Sequence, residues 1–170
     1  MNKIIEATKD YPGVVVRGHS IDFGDRARFA SSRHQLTDEQ ASMLRSFVPK
    51  ILAVVRDPLG QKWLKRVVVE GFADQRGTYI QNLNLSLKRS ERVMCVLLAT
   101  KTNLPGALSE EDQLLVRDIF LVGGSSFNSL KESLEESRRI ELKLEFLDIG
   151  ETRPAPRNAP LDADPNCPLD

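Results

Sequence analysis

The sequence predicts an α/β layer sandwich, because short apolar strands alternate along the chain with longer helices. The clearest strand is Ile140 to Phe146, where apolar residues alternate with Glu141, Lys143 and Glu145, so that one face is buried. The clearest helix start is the capping box Thr37 to Gln40. With 170 residues, 41% of them hydrophobic, the chain is long enough to bury one core without disulfide support.

The first half of the chain contains one long predicted helix between two predicted strands. The Thr37 hydroxyl can accept from the amide of Gln40 while the Gln40 side chain reaches back, and apolar residues follow at helical spacing. Pro49 predicts a kink or a break inside this helix. The predicted elements are a polar segment over 1–12, a strand over 14–16, a long surface loop over 18–35, a helix of about 18 residues from Thr37, and a covered strand over 66–70.

The second half contains two more helices and two more strands. A long helix follows the turn at 71–77, and its predicted buried stripe is Ile80, Leu83, Leu87, Met94 and Leu97. Ser109 begins a shorter helix, and Phe120 to Val122 is a strand that two glycines end. Residues 150–170 hold five prolines and are predicted to form a disordered tail, which leaves 13–149 as the folded domain.

Composition excludes several classes of function. Lysine plus arginine equals aspartate plus glutamate at 24 each, so no long-range positive field favours a nucleic-acid partner. Histidine occurs only at His19 and His34, and the cysteine spacing is not that of a metal site, so no metal or other cofactor is expected. Cys95 lies among apolar residues and is interpreted as a small buried hydrophobe, while Cys167 lies in the tail. No membrane-spanning run or signal peptide is evident, although the question whether an anchoring segment precedes this chain stays open.

Polar residues cluster where the covered strand meets the long helix. Asp74 comes just after the strand, a common ligand position in open α/β folds, and Arg89 follows fifteen residues later inside the helix. Asn82 lies two helical turns before Arg89, so both share a face away from the predicted apolar stripe. Together these residues suit a zwitterion, with Arg89 binding a carboxylate and Asp74 an ammonium. The alternative interpretation is that Asp74 and Arg89 form a plain salt bridge or anchor a loop.

The same segment resembles the OmpA-like (OmpA/MotB) peptidoglycan-binding domain. The family pattern is a Gly-His-Thr-Asp strand end, a glycine turn, and Asn-x-x-Leu-Ser-x-x-Arg-Ala-x-x-Val. Here it is matched by Gly71 to Asp74, Gly77, and the helix segment 82–93, and Ser137 to Phe146 is similar to the family's Asn-Arg-Arg-Val strand. The resemblance implies a two-layer sandwich with a βαβαβ core, a mixed sheet and helices on one face.

The resemblance also implies a ligand. The positions of Asp74 and Arg89 hold the meso-diaminopimelate of the cell-wall stem peptide in that family. Asn82 would be an ancillary polar contact or a helix-start residue, and Ala73 is expected among the ligand-binding residues. Ser86, Arg138 and Arg139 are expected to support the site rather than touch the ligand.

Four positions depart from the family pattern. Phe72 and Ala73 replace its histidine and threonine, Ser90 replaces an alanine, and Ser137 replaces an asparagine. The first two changes remove polar groups and are expected to weaken or reorient ligand binding.

A narrower resemblance is to the ZorB family, the MotB-like subunits of Zorya anti-phage defence systems. It depends on Phe72, the Arg-Ser-Glu run at 89–91, Met94-Cys95, and the segment 123–128. It implies a periplasmic homodimer that anchors an ion-driven inner-membrane motor to peptidoglycan. The motor partner would be a ZorA-like pentamer, joined through a transmembrane helix that this chain lacks.

Three alternatives stay open beside that one. An ordinary OmpA-like or flagellar-stator tether would share the pocket without the defence role. A protein-interaction module could use the loop Asp25 to Gln35, with Arg26, Arg28 and Arg33. An enzyme is disfavoured, because Asp74 and Glu70 have no nucleophile, histidine or metal cluster beside them.

Overall fold

The computed structural model describes residues 1–99, 104–156, 160 and 166–169. The described residues form five strands and six α-helices, with a short 3₁₀ turn at Gly24–Ala27. The elements in chain order are α1 Asn2–Thr8, β1 Val15–Arg17, β2 Ser20–Asp22, α2 Asp38–Arg56, α3 Pro58–Trp63, β3 Leu64–Gly71, α4 Tyr79–Leu98, α5 Glu110–Ile119, β4 Phe120–Gly124, α6 Leu134–Ser137 and β5 Ile140–Phe146.

The strands form one mixed sheet in the order β1-β2-β5-β3-β4. β3 pairs in parallel with β4 through a crossover containing α4 and α5, and it pairs antiparallel with β5. β2 joins the other side of β5, and β1 is the edge strand beyond it. Because β3 is an interior strand and the next element in the chain is α4, the end of β3 and the start of α4 face each other at one edge of the sheet.

The core lies between one face of the sheet and the helices. Alternate residues of β3 and β5 point into it, among them Val67, Val69, Leu142 and Leu144, each at most 1% exposed. α2 supplies a continuous apolar face from the helix side. This two-layer α+β architecture confirms the fold class that the sequence predicts.

Local sequence signals locate several elements well. The Thr37 capping box is present, with the Thr37 hydroxyl accepting from Gln40 N–H and the Gln40 side chain accepting from Thr37 N–H. α2 continues through Pro49 as one helix of 19 residues. β5 spans the predicted residues and buries the predicted alternate face.

Three features differ from the expectation. The predicted loop 18–35 contains strand β2, and the predicted polar segment 1–12 contains helix α1. The predicted buried stripe of α4 is partly wrong, because Ile80 is 70% exposed and Leu87 is 41% exposed. The helix instead buries a mostly polar face, because small and hydrogen-bonding side chains permit close contact with the sheet.

Cys95 and Cys167 form a disulfide across a separation of 72 residues. The interpretation of Cys95 as a plain buried hydrophobe is therefore wrong, because the residue is half-buried on α4 and its sulfur is bonded to Cys167 of the tail. Arg153 also attaches the tail, donating to the carbonyls of Gly60 and Leu64. The described parts of the tail thus contact the domain, while the disorder of the whole segment stays a prediction. Within the described residues, no helix is long and apolar enough to span a bilayer.

Candidate functional site

The end of β3 packs unusually closely against α4. A Cβ on Gly71 would lie 1.9 Å from the Ser86 carbonyl oxygen, and one on Gly124 would lie 2.6 Å from Ser86 Oγ. The Ser86 hydroxyl accepts from the backbone N–H of Ser126 at 3.1 Å. Ser86, predicted as a supporting residue, therefore joins α4 to the ends of both parallel strands.

The turn between β3 and α4 is held by side-chain hydrogen bonds. Asp74 Oδ1 accepts from Arg76 N–H at 3.0 Å, and Asn82 Nδ2 donates to the Arg76 carbonyl at 2.7 Å. Gly77 has φ of +91°, a conformation that a side chain would strain. Asn82 is therefore a turn-positioning residue in this structure.

Arg89 is the largest fully buried side chain of the site, at 0% exposure. Its three guanidinium nitrogens each donate to a main-chain carbonyl: Nε to Arg33 at 2.9 Å, Nη1 to Phe72 at 2.7 Å and Nη2 to Ala30 at 3.2 Å. The guanidinium also lies over the Phe29 ring, 4.9 Å from its centroid. Arg89 thereby connects the end of β3 to the loop that precedes α2.

The ion-pair partner of Asp74 is Arg138. Arg138 Nη1 lies 3.1 Å from Asp74 Oδ2, and both side chains are at least 90% buried. Arg138 Nε donates to the Phe29 carbonyl at 2.9 Å, and Phe29 N–H donates back to the Arg138 carbonyl at 2.9 Å. Arg138 therefore orients the carboxylate and fixes the backbone beneath Arg89.

The buried cluster of Asp74, Arg89 and Arg138 carries two positive charges and one negative charge. Burial lowers the pKa of Arg89 to about 10, with Asp74 opposing this effect and Arg138 adding to it. At neutral pH the guanidinium is still charged. The charges also have partners within the chain: Arg138 Nη2 lies 3.5 Å from Glu135 Oε1, and the three carbonyls satisfy the Arg89 guanidinium.

The departures at Phe72 and Ala73 have a structural role. The Arg139 guanidinium stacks 4.0 Å from the Phe72 ring centroid, and Arg139 Nε donates to Glu141 Oε1 at 2.7 Å. Ala73 is 1% exposed and its N–H donates to the Ser126 carbonyl at 2.7 Å. The Phe72 ring thus packs against the Arg139 guanidinium, and Arg139 has a structural role in this arrangement.

The structure brings together Asp74, Asn82 and Arg89 around one turn, as the sequence predicts. Their roles in ligand binding, and that of Ala73, stay predictions. Sequence reasoning missed the segment Phe29 to Arg33, whose carbonyls contact Arg89 and Arg138. Only its position in a long loop marked it, since backbone carbonyls leave no residue signature.

A separate open cleft of about 1290 Å³ lies beside the loop Asp25 to Gln35. Two of the three loop arginines line it, but both are engaged within the chain. Arg26 Nε donates to the Pro12 carbonyl at 2.6 Å, and Arg28 forms ion pairs with Asp25 and Glu136. No metal-binding group of histidine, cysteine, aspartate or glutamate occurs within the described part of the chain.

Comparison with known proteins gives one clear sequence relative. The chain is 44% identical over 142 residues to the Zorya protein ZorB of Escherichia coli O139:H28 (strain E24377A), which covers 82% of this chain. The chain is a homologue of ZorB. It spans 58% of the length of that relative. No protein-family model matches the chain.

Solved structures place the ZorB homologue in a known fold. The periplasmic domain of Helicobacter pylori MotB has a TM-score of 0.51 at 11% identity, covering 81% of this chain and 86% of that domain. The cell wall anchor of the type VI secretion system (T6SS) from Pseudomonas aeruginosa has a TM-score of 0.50 at 22% identity, covering 84% and 94%. These likenesses confirm the OmpA/MotB type of fold.

Proposed function

We propose that this chain is a cell-wall binding domain whose ligand is the diaminopimelate of the peptidoglycan stem peptide. The observation that carries the proposal is the buried cluster of Asp74, Arg89 and Arg138 at the end of β3. The homology to ZorB and the fold shared with a cell wall anchor support the same assignment. No catalytic role is proposed.

Diaminopimelate suits the cluster because one end of it is a zwitterion. Its carboxylate would take guanidinium donors from Arg89, and its ammonium would lie against the Asp74 carboxylate. Asn82 would hold the turn that presents Asp74, and the Ala73 backbone would border the pocket. Arg138 would keep the Asp74 carboxylate correctly oriented between binding events.

The domain is proposed to lie in the periplasm, as the periplasmic part of a single-pass inner-membrane protein. The Cys95–Cys167 disulfide fits this location, because disulfides persist in the oxidising periplasm and are rare in the cytosol. As a ZorB homologue, the domain would act as a homodimer that anchors a ZorA-like pentameric motor to the wall during anti-phage defence. Anchorage is mechanical: a fixed domain lets ion flow turn the motor against the wall.

Co-sedimentation with purified sacculi tests wall binding. Wild type should pellet with diaminopimelate-type sacculi and not with lysine-type sacculi. Asp74→Asn retains an acceptor for Arg76 N–H but removes the charge, and should weaken binding roughly tenfold to a hundredfold, since hydrogen bonds to charged groups contribute about 1.5 to 3 kcal/mol. Arg89→Lys retains the positive charge but removes the planar guanidinium with its paired N–H donors, and should weaken binding by a similar factor.

Lys88→Gln is the matched control, because Lys88 is the exposed neighbour of Arg89 on α4. It should bind like wild type. Thermal unfolding of each variant separates lost binding from lost folding. Wild type that ignores the wall type, or an Asp74→Asn variant that binds normally while folded, would refute the proposed function.

A further inference from the structure

Arg89 is not accessible to a ligand in this structure. Its side chain is 0% exposed, and the carbonyls of Ala30 and Arg33 accept from two of its three nitrogens. We name the segment Ala30–Arg33 the capping loop. Any carboxylate that binds Arg89 must displace at least part of this loop.

The capping loop lies on the surface and has few attachments of its own. All four of its residues are exposed, and one backbone hydrogen bond, from Arg33 N–H to the Ala30 carbonyl at 3.1 Å, closes its turn. Ser32 has φ of +55°, a left-handed conformation that is unfavourable for a residue with a side chain. Closure therefore depends largely on the hydrogen bonds from Arg89.

The residues on either side of the capping loop differ in how well their polar groups are hydrogen-bonded. Phe29, before the loop, is fixed by two hydrogen bonds with Arg138: its N–H donates to the Arg138 carbonyl, and its carbonyl accepts from Arg138 Nε. His34, after the loop, has its Nε2 atom buried with no hydrogen-bond partner among the described residues. A buried nitrogen without a partner is destabilising, so this flank of the loop is held less well than the Phe29 flank.

We propose that the capping loop is a lid that competes with the ligand carboxylate for Arg89. In the free domain the Ala30 and Arg33 carbonyls occupy the guanidinium donors, and on binding the carboxylate replaces them. The exchange is favourable for the ligand, because a charged acceptor makes stronger hydrogen bonds to the guanidinium than a neutral carbonyl does. This inference depends on the proposed function and adds its regulation: affinity is set partly by the cost of opening the lid.

Substitutions at Ser32 change lid closure without touching Arg89. Ser32→Gly accepts the positive φ easily and stabilises the closed loop, whereas Ser32→Val strongly disfavours it. Binding of a diaminopimelate-containing disaccharide tetrapeptide, measured by calorimetry, should be about fivefold weaker for Ser32→Gly and about fivefold tighter for Ser32→Val. Ser31→Val, the neighbouring exposed position where no positive φ occurs, is the matched control and should bind like wild type.

Hydrogen exchange at the Arg33 amide reports closure independently of any ligand. Protection should decrease from Ser32→Gly through wild type to Ser32→Val. If protection follows this order but affinity does not change, the lid is refuted and wall binding stands. If no variant binds, including the opened Ser32→Val, the proposed function fails together with the lid. Protection that ignores the Ser32 series, or an equal effect of Ser31→Val, also overturns the lid.

Discussion

The disulfide between Cys95 and Cys167 should contribute a large part of the stability of the domain. It closes a loop across 72 residues, and the chain-entropy relation for a loop of that size gives about 4 kcal/mol. For a domain of this length, that corresponds to a melting temperature lowered by roughly 8 to 16 °C when the bond is absent. Cys167→Ser is the preferred perturbation, because it changes the tail cysteine and leaves α4 intact.

Urea unfolding followed by circular dichroism measures the effect. Wild type in oxidising buffer should unfold at a clearly higher urea concentration than Cys167→Ser. Adding reductant should lower the urea midpoint of wild type to that of the variant. Cys167→Ser is its own control, because reductant should not change it further. Equal unfolding midpoints for oxidised wild type and Cys167→Ser would refute the reasoning and show that the tail cysteine is not bonded to α4 in solution.

Two further predictions concern the junction between β3 and α4. Gly71→Ala should destabilise the domain by about 2 kcal/mol or more, since its Cβ would meet the Ser86 carbonyl oxygen, whereas Gly123→Ala, with its nearest contact at 3.7 Å, should change the urea midpoint little. If both alanines cost the same, the close approach at Gly71 is not the cause. Thr78→Ala should lower the free energy of unfolding by about 1 kcal/mol, because it removes the hydroxyl cap that accepts from Gln81 N–H at 3.3 Å. Thr78→Ser keeps a hydroxyl and should retain most of the stability. A serine variant as unstable as the alanine variant would contradict the capping role.

Patterns that are local in the sequence predicted local structure correctly. The capping box at Thr37 marks the start of α2, and strict alternation marks β5 with its buried face. Both signals act over a few residues and do not depend on distant partners. β2 was missed because Ser20 to Asp22 is a short strand with one apolar residue inside a polar stretch, and only its pairing with β5 defines it.

At the candidate site, by contrast, contacts between distant parts of the chain determine which side chains are buried. The motif pointed to Asp74, Asn82 and Arg89, which the fold brings together, but the apolar stripe predicted a buried face of α4 that is partly wrong. Close contact with the sheet selects small Ser86 over bulky Leu87, and backbone carbonyls from distant loops draw Arg89 inward. Neither cause leaves a periodic signal. With two cysteines in the chain, Cys167 is the one intrachain partner open to Cys95, but whether the bond forms depends on the path of the tail, which the spacing does not give.

The Cys95–Cys167 bond also determines how the domain responds to tension. A stretched chain of 72 residues would reach about 250 Å, and this length is unavailable to a pull on the tail while the bond is closed. Such a pull passes through the two sulfur atoms directly into α4, the helix that carries Arg89. The tail and the candidate site are therefore mechanically in series, joined by a stiff connection instead of an extensible one.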